Sequence, residues 1–351
     1  MTPALSPAQP AAKTLSDLYA QLRPHNLAPL WEVLSSLVTP TPTTRAVPAR
    51  WSFSKVRPYL MEAGELISAA EAERRVLILE NPAMTGESRT TQTLYAGLQL
   101  ILPGEIAPAH RHTQNALRFI MEGEGAFTAL DGERAYMHRH DLVLTPAWVW
   151  HDHGNETDAP MIWLDGLDIP LIQSLDASFA EHSADRGAWP TTRPAGDAET
   201  RWGRNLAPAR RIEQSNPHNP LFIYPFSDWR ETLESLRMSG PAHPHDAYLM
   251  EFVNPRTGGA VLATMAAFAR LVPGGFETRP MRSSESSIHV VVEGDGALEI
   301  DGTSYALTPG DIVVVPAWAQ RRFVASSDLV VFSYSDRAAQ QRLELWRELL
   351  L

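Results

Sequence analysis

The chain has 351 residues and a formal net charge of -11, from 41 acidic and 30 basic side chains. This length allows two ordinary domains, and the negative charge disfavours nucleic acids and anionic membranes as partners, so we expect a small-molecule ligand. The absence of cysteine excludes disulfides and leaves imidazole and carboxylate as the strong metal ligands. No apolar run approaches the roughly 20 residues that span a bilayer and no signal-peptide pattern is present, so we expect a soluble cytoplasmic protein.

Residues 1–72 are predicted to form an N-terminal helical segment. Apolar residues at helical spacing over 14–38 predict a helix that is capped at Ser16 and broken near Pro24. A second helix is predicted over 54–70, after a linker rich in proline and threonine.

From residue 73 the pattern changes to short apolar runs between turn residues. Runs of this kind, separated by turns such as Asp131-Gly132, favour an all-β barrel or jelly-roll sandwich, which we place at 73–182. The predicted strands include 75–80, 93–102, 116–121, 126–130, 141–145 and 161–165.

An internal repeat indicates that this barrel is duplicated. The motifs Leu-Pro-Gly, Met-Glu-Gly-Glu-Gly-Ala and Thr-Pro-Ala-Trp within 102–148 recur within 271–318 as Val-Pro-Gly, Val-Glu-Gly-Asp-Gly-Ala and Val-Pro-Ala-Trp. We therefore predict a second barrel over 246–335, joined to the first by a connection over 183–245. Apolar residues on one helical face predict a C-terminal helix over 336–351.

Three histidines form a candidate metal site. His110 and His112 flank Arg111 on a predicted strand, and because strand side chains alternate between faces, both imidazoles point the same way. His151 lies on another predicted strand, after Pro146. An isolated His-x-His is weak evidence of a metal site, so the third histidine and its flanking motif carry the prediction.

These two blocks resemble the cupin signature. Gly104, His110 and His112 match its first block, and Pro146, His151 and Asn155 match the second. The chain departs from the signature where His140 and Trp148 replace glycines, and where Ala116-Leu117 replaces the expected glutamate. The second copy has Met281, Ser283 and Arg321 at the ligand positions, so only the first barrel is predicted to hold a metal.

Longer segments resemble the gentisate 1,2-dioxygenase family, namely 107–119, 146–155, 163–168 and 253–259. The resemblance implies a bicupin of two tandem jelly-roll β-barrels with N-terminal helices and a C-terminal helix. It also implies an Fe(II) cofactor, an aromatic acid and O2 as substrates, and a homo-oligomer, expected to be a tetramer. Salicylate and 1-hydroxy-2-naphthoate dioxygenases share much of the pattern.

The missing carboxylate ligand suits this chemistry. Three neutral imidazoles leave an octahedral divalent metal with three open positions, two for a chelating 2-hydroxybenzoate and one for dioxygen. Together with the family resemblance, this arrangement leads us to expect cleavage of gentisate between C1 and C2 to give maleylpyruvate.

Further residues are assigned to the site around the three ligands. His153 is a candidate acid/base, Arg118 is expected to hold a carboxylate or bound oxygen, and Asp165 is expected to orient His153 or a ligand imidazole. Arg74, Gln99 and Trp163 are assigned to substrate binding, although tryptophans such as Trp163 are more often core residues.

Other readings remain open at this point. The substrate is gentisate, salicylate or 1-hydroxy-2-naphthoate; a metal-dependent isomerase and a non-catalytic bicupin that binds or stores a ligand are the alternatives. His138 and His140 also have ligand-like spacing, but we expect them to lie in an exposed turn.

Overall fold

The computed structural model of the protein describes residues 14–184, 187–204, 207–209 and 218–351. The chain divides into one unit that ends at Thr43 and a second unit over 44–351. No helix of the described residues is long and apolar enough to cross a membrane.

The first unit contains two helices, α1 (Leu15–Leu22) and α2 (Leu30–Leu37). Thr14 caps α1 by accepting a hydrogen bond from the Asp17 backbone N–H at 3.1 Å, so the predicted cap at Ser16 is wrong. The predicted break near Pro24 is confirmed, because Pro24 lies in a short 3-10 turn that ends at Asn26 with a left-handed φ of 54°. The physical reason for the shifted cap is that Thr14 has extended backbone and precedes the first helical turn.

The second unit begins with β1 (Ala49–Ser52) and continues in chain order through the elements of the first barrel. Its first half contains α3 (Phe53–Leu66), α4 (Ala69–Ala72), β2 (Val76–Ile78), β3 (Tyr95–Ile101), β4 (Ile106–His112), β5 (Ala116–Glu122), β6 (Phe127–Leu130), β7 (Glu133–Tyr136), β8 (Leu142–Thr145), β9 (His151–Gly154), β10 (Met161–Leu167), α5 (Ile169–Ser174) and β11 (Ala180–His182).

The second half of this unit repeats the same pattern. Its elements are α6 (Asp197–Trp202), β12 (Ile223–Tyr224), α7 (Phe226–Ser239), β13 (Tyr248–Glu251), β14 (Ala266–Val272), β15 (Met281–Ser283), β16 (Ser287–Glu293), β17 (Gly296–Ile300), β18 (Thr303–Leu307), β19 (Asp311–Val315), β20 (Arg321–Ala325), β21 (Leu329–Ser335), α8 (Arg337–Arg342) and β22 (Glu348–Leu350).

The described strands form two pairs of antiparallel sheets. The six-stranded sheets run β12-β8-β5-β10-β3-β2 and β1-β19-β16-β21-β14-β13, and the five-stranded sheets run β11-β4-β9-β6-β7 and β22-β15-β20-β17-β18. Each order matches its counterpart strand for strand. The predicted all-β fold of two similar halves is confirmed.

The two halves exchange strands. β1 precedes the first barrel in the chain but pairs with β19 of the second, and β12 precedes the second barrel but pairs with β8 of the first. A helix of 14 residues, α3 or α7, follows each exchanged strand. The duplication therefore extends over 49–182 and 223–350, and neither barrel is built from one continuous stretch.

The C-terminal segment is a short helix and a strand, so the predicted helix over 336–351 is wrong beyond Arg342. Glu344 has a left-handed φ of 59°, which ends the helical path. β22 then pairs with β15, where it satisfies the backbone groups of an otherwise open sheet edge. The counterpart is β11, which pairs with β4.

One hydrophobic core lies between the two six-stranded sheets. Phe119 of β5 stacks on Phe332 of β21 with ring centroids 4.2 Å apart. Two equivalent hydrogen bonds also link the barrels. Thr93 donates to Asp336 at 2.7 Å, and Thr264 donates to Asp168 at 2.5 Å. The two barrels therefore pack against each other around one common core.

The backbone conformation shows why glycine is usual at the two turn positions that His140 and Trp148 occupy in this chain. His140 and Trp148 have φ values of 69° and 63°, in the left-handed region that glycine adopts most readily. Gly310 and Trp318 occupy the equivalent turns of the second barrel at 86° and 63°. His138 is exposed as expected, whereas His140 is half-buried and packs on Phe119, so the expectation of an exposed turn is wrong for His140.

Candidate metal centre

The three predicted ligands meet inside the first barrel. β4 carries His110 and His112 on one face, and β9 places His151 directly opposite His110. Their ring centroids lie 4.1 to 5.4 Å apart, and one ring nitrogen from each residue falls within 4.8 Å of the others. The described residues thus contain a three-histidine cluster of the size that one ion requires.

Backbone carbonyls fix the protonation of these imidazoles. Nδ1 of His110, His112 and His151 lies 3.2, 2.9 and 2.8 Å from the carbonyl oxygens of Pro108, Gln114 and Val149. Since a carbonyl only accepts, Nδ1 of His112 and of His151 carries the proton, and Nε2 of each keeps its lone pair. At His110 the Arg74 guanidinium, which only donates, lies closer to Nδ1 than the carbonyl does, at 2.7 Å.

Burial keeps these imidazoles in their neutral form. It lowers the pKa of His112 to about 4 and that of His151 well below its ordinary value. Nε2 of His151 is buried and has no hydrogen-bond partner among the described residues. An orphaned lone pair beside two others fits a divalent metal, which His110, His112 and His151 would hold.

The position of the missing glutamate is apolar. Ala116 is 1% exposed and shares a face of β5 with Arg118, which points into the barrel. Leu117 points the other way, into the core between the barrels. Of the pair Ala116-Leu117, only Ala116 therefore borders the centre.

Arg118 and His153 form a buried pair beside the ligands. Arg118 Nη2 lies 2.9 Å from His153 Nε2, and its Nη1 donates to Thr145 Oγ1 at 2.5 Å. Because guanidinium only donates, His153 Nε2 accepts and its Nδ1 donates to Thr128 Oγ1 at 2.9 Å. His153 is consequently neutral, and burial holds its pKa well below the ordinary value.

Asp165 forms a buried ion pair with Arg118. Its Oδ1 lies 3.3 Å from Arg118 Nε and accepts the Trp163 indole N–H at 3.0 Å. The expectation that Asp165 orients His153 or a ligand imidazole directly is wrong, because Asp165 faces Arg118 across paired β10 and β5. Burial raises the pKa of Asp165 to about 6 against the opposing effect of Arg118.

The three residues assigned to substrate binding occupy different depths. Arg74 reaches the centre, with Nη2 2.7 Å from Nδ1 and 3.1 Å from Nε2 of His110. Gln99 and Trp163 lie opposite each other on β3 and β10, and both side chains are at most 5% exposed. Trp163 uses its N–H on Asp165, whereas the Gln99 amide has no hydrogen-bond partner among the described residues.

The pattern of the sequence missed four residues near the centre. Thr128 and Thr145 hold His153 and Arg118, and they carry no motif of their own. Tyr95 shares a strand face with Gln99, and its hydroxyl would lie 2.7 Å from a Cβ at Gly97, so glycine leaves room for the ring. His182, which is exposed, pairs with His110 across β11 and β4. Of these four residues, only Tyr95 could have been found from the sequence, because strand alternation places it on the same face as Gln99.

The second barrel has no imidazole at these positions. Met281 faces Arg321 in the register that joins His110 to His151, and Arg321 donates to Ser283 at 2.9 Å. A guanidinium there repels a cation. Among the described residues, the cluster that could hold a metal lies in the first barrel.

Comparison with known proteins agrees with the fold. The Cupin domain family matches residues 97–167 and 267–333. Gentisate 1,2 dioxygenase 1 of Aquipseudomonas alcaligenes is 47% identical over 96% of each chain, and gentisate 1,2-dioxygenase of a Streptomyces species is 37% identical over 97% of this chain and 96% of the relative.

Solved structures give the same result. Salicylate 1,2-dioxygenase of Pseudoaminobacter salicylatoxidans, crystallised as adducts with gentisate, superposes with a TM-score of 0.89 at 33% identity, covering 99% of this chain and 97% of the other. The chain has two matched cupin domains, 47% identity to a gentisate 1,2-dioxygenase over 96% of its length, and a three-histidine centre in the first barrel. It therefore belongs to the gentisate 1,2-dioxygenase family.

Proposed function

We propose that the protein is an Fe(II)-dependent dioxygenase that opens gentisate between C1 and C2 and inserts both atoms of O2 to give maleylpyruvate. The observation that carries this proposal is the histidine triad with carbonyl-anchored Nδ1 atoms beside two guanidinium groups. When bound, Fe(II) supplies redox chemistry with dioxygen and positive charge for the substrate oxygens.

The charges around the triad favour an anionic substrate. Arg74 and Arg118 bring two positive charges, and Asp165 is the carboxylate whose charge acts on both. A divalent metal adds to this excess of positive charge. A substrate that binds the metal through its carboxylate and its ortho hydroxyl brings negative charge that compensates it. Arg74, which is only half-buried, is the guanidinium placed to bind an incoming carboxylate.

His153 is the proposed acceptor of the substrate's hydroxyl proton. Its Nε2 accepts a hydrogen bond from Arg118 in the substrate-free protein, so His153 becomes available as a base when Arg118 turns its N–H towards the substrate. The proton on His153 Nδ1 stays hydrogen-bonded to Thr128 Oγ1. Asp165 positions Arg118 throughout, and the Gln99 amide and Tyr95 hydroxyl offer further substrate contacts on β3.

A substrate panel tests this function. Protein loaded anaerobically with Fe(II) receives gentisate, salicylate or 1-hydroxy-2-naphthoate with oxygen, and oxygen uptake and product absorbance are followed. We expect the highest kcat/KM with gentisate. Absence of turnover with every 2-hydroxybenzoate contradicts the proposal, and a lack of bound redox metal after loading favours a non-catalytic bicupin instead.

A second candidate is salicylate 1,2-dioxygenase activity. It is favoured by the close superposition on the Pseudoaminobacter enzyme, whose crystals also hold gentisate. The same panel separates the two, because a preference for salicylate over gentisate would assign this second activity.

We also propose a cytoplasmic homo-oligomer, expected to be a tetramer from the family resemblance. Apolar side chains on α2 support association, since Leu30, Trp31 and Leu34 are 54%, 62% and 49% exposed. Light scattering of the purified protein measures the assembly directly.

A further inference from the structure

The interior of the second barrel carries a group of buried basic side chains. Arg270, His289 and Arg321 are each 5% exposed and come from β14, β16 and β20. Arg321 stands at the position of His151, while Arg270 and His289 stand at the positions of Gln99 and Arg118, fifth and third in their strands. The second barrel thus has cationic groups where the first has its metal and substrate residues.

These side chains face one another inside the barrel. Phe323 follows Arg321 by two residues on β20, so the two point to the same face. The Phe323 ring has the Arg270 guanidinium carbon 5.0 Å away and the His289 ring 5.7 Å away. Repulsion from Arg321 lowers the pKa of both Arg270 and His289, after burial as the larger cause.

Their hydrogen bonds are incomplete. Nε of Arg270 and Nδ1 of His289 are buried and have no partner among the described residues. The Ser287 hydroxyl lies 2.9 Å from Nε2 of His289, so it can donate there and leave Nδ1 with its proton. Two buried N–H groups then lack an acceptor among the described residues.

The nearby carboxylates engage other atoms of the cluster. Glu285 is engaged by Arg337 in a bidentate ion pair at 2.7 and 2.8 Å, and it lies 3.7 Å from Arg321. Asp246 is 3.6 Å from Arg270. Glu348 acts on Arg321 and Arg337, and Glu251 acts on Arg337. No carboxylate among the described residues accepts a hydrogen bond from Nε of Arg270 or Nδ1 of His289.

We propose that the second barrel binds a small inorganic monoanion, of the size of chloride, through Arg270, His289 and Arg321. The unassigned N–H groups supply its hydrogen bonds and the guanidinium charges supply its affinity. Because the surrounding side chains are nearly inaccessible, the site suits a monatomic ion and not an aromatic acid. The ion would stabilise the fold of the second barrel, independently of turnover in the first.

Crystals of the full-length protein with sodium bromide provide the direct test. Data collected at the bromine absorption edge should show an anomalous peak within hydrogen-bonding distance of Arg270 Nε and His289 Nδ1. An ordered water there without anomalous signal, or bromide only at the protein surface, overturns the proposal.

Thermal unfolding gives an independent test in solution. After dialysis against gluconate, sodium chloride should raise Tm with saturation, whereas sodium gluconate at equal ionic strength should not. Arg270→Gln should remove the chloride effect, since glutamine occupies the equivalent interior position at Gln99. Arg322→Gln, a neighbour on the opposite face of β20, should keep it. Equal responses to both salts in the wild type contradict the proposal, whether or not the variants fold.

Discussion

At the scale of single residues, backbone carbonyls prepare the metal centre. They hold the Nδ1 protons of His112 and His151, so the Nε2 lone pairs of these two rings are free for a metal. Asp165 has a similar role towards Arg118, because its carboxylate fixes the guanidinium that contacts His153. The centre therefore depends on residues that are not themselves ligands.

Removal of one ligand should abolish iron binding. His151→Ala deletes the fully buried imidazole and leaves only the two nitrogens of β4 for the metal. After anaerobic Fe(II) loading and desalting, elemental analysis should find iron in the wild type and almost none in this variant. His138→Ala removes an exposed imidazole and should retain full occupancy. Full occupancy in the His151 variant would refute the ligand assignment.

Neutralising Asp165 should reduce turnover and spare the metal. Asp165→Asn keeps an acceptor for Trp163 but removes the charge that holds Arg118. We expect kcat/KM for gentisate to fall roughly 10- to 100-fold, the usual cost of losing a supporting partner, with unchanged iron content. Asp158→Asn, in an exposed loop, is the matched control. Unchanged kcat/KM would show that Asp165 does not position Arg118.

Strand alternation and motif spacing singled out the three histidines that cluster in the first barrel, and Arg118, His153 and Asp165 were expected near them. They did not reveal which atoms pair, because the contact of Asp165 with Arg118 depends on the register between β10 and β5. Thr128 and Thr145 come from separate strands without a motif. Such contacts follow from three-dimensional register and not from local pattern.

At the scale of elements, the ends of β10 and β21 tie the two barrels together. Asp168 accepts the Asn115 backbone N–H and the Thr264 hydroxyl, and Asp336 accepts the Ser286 backbone N–H and the Thr93 hydroxyl. Each threonine belongs to the opposite barrel. The repeated geometry also explains the C-terminal strand, since α8 and β22 repeat α5 and β11. Extending the repeat beyond its conspicuous motifs would have predicted that strand.

The buried Asp336 should make stability depend on pH. Burial raises its pKa from 3.8 to about 6, so the folded protein holds this proton more tightly than the unfolded chain. Its contribution is present below about pH 4 and is lost as pH rises through about 6, by up to about 3 kcal/mol. Urea unfolding of the wild type and Asp336→Asn across this range should show the extra fall only in the wild type. Parallel curves would contradict the assignment.

At the scale of the whole molecule, the two barrels share one core and exchange strands. β1 and β12 each complete the sheet of the other half, and Phe119 stacks on Phe332 across the interface. The repeat predicted two barrels, but the exchange was not visible because β1 and β12 have only four and two residues. Residues 44–351 should consequently unfold as one cooperative body.

Truncation of the shared core should destabilise both barrels together. Phe119→Ala removes a fully buried ring, and we expect the free energy of unfolding to fall by about 3–5 kcal/mol with a single transition retained. Phe179→Ala, where the ring is 57% exposed, should have a much smaller effect. Calorimetry that resolves two transitions, only one of which shifts, would contradict a shared core.

The central claim is that a metal held by His110, His112 and His151 supports oxidative ring cleavage in the first barrel. The most direct measurement compares oxygen and gentisate consumption by metal-free, Fe(II)-loaded and Zn(II)-loaded protein. We predict that the Fe(II) form consumes one dioxygen for each gentisate, while the metal-free and redox-inactive Zn(II) forms consume neither. Equal activity in the Zn(II) form, or gentisate loss without oxygen uptake in the Fe(II) form, would contradict the claim.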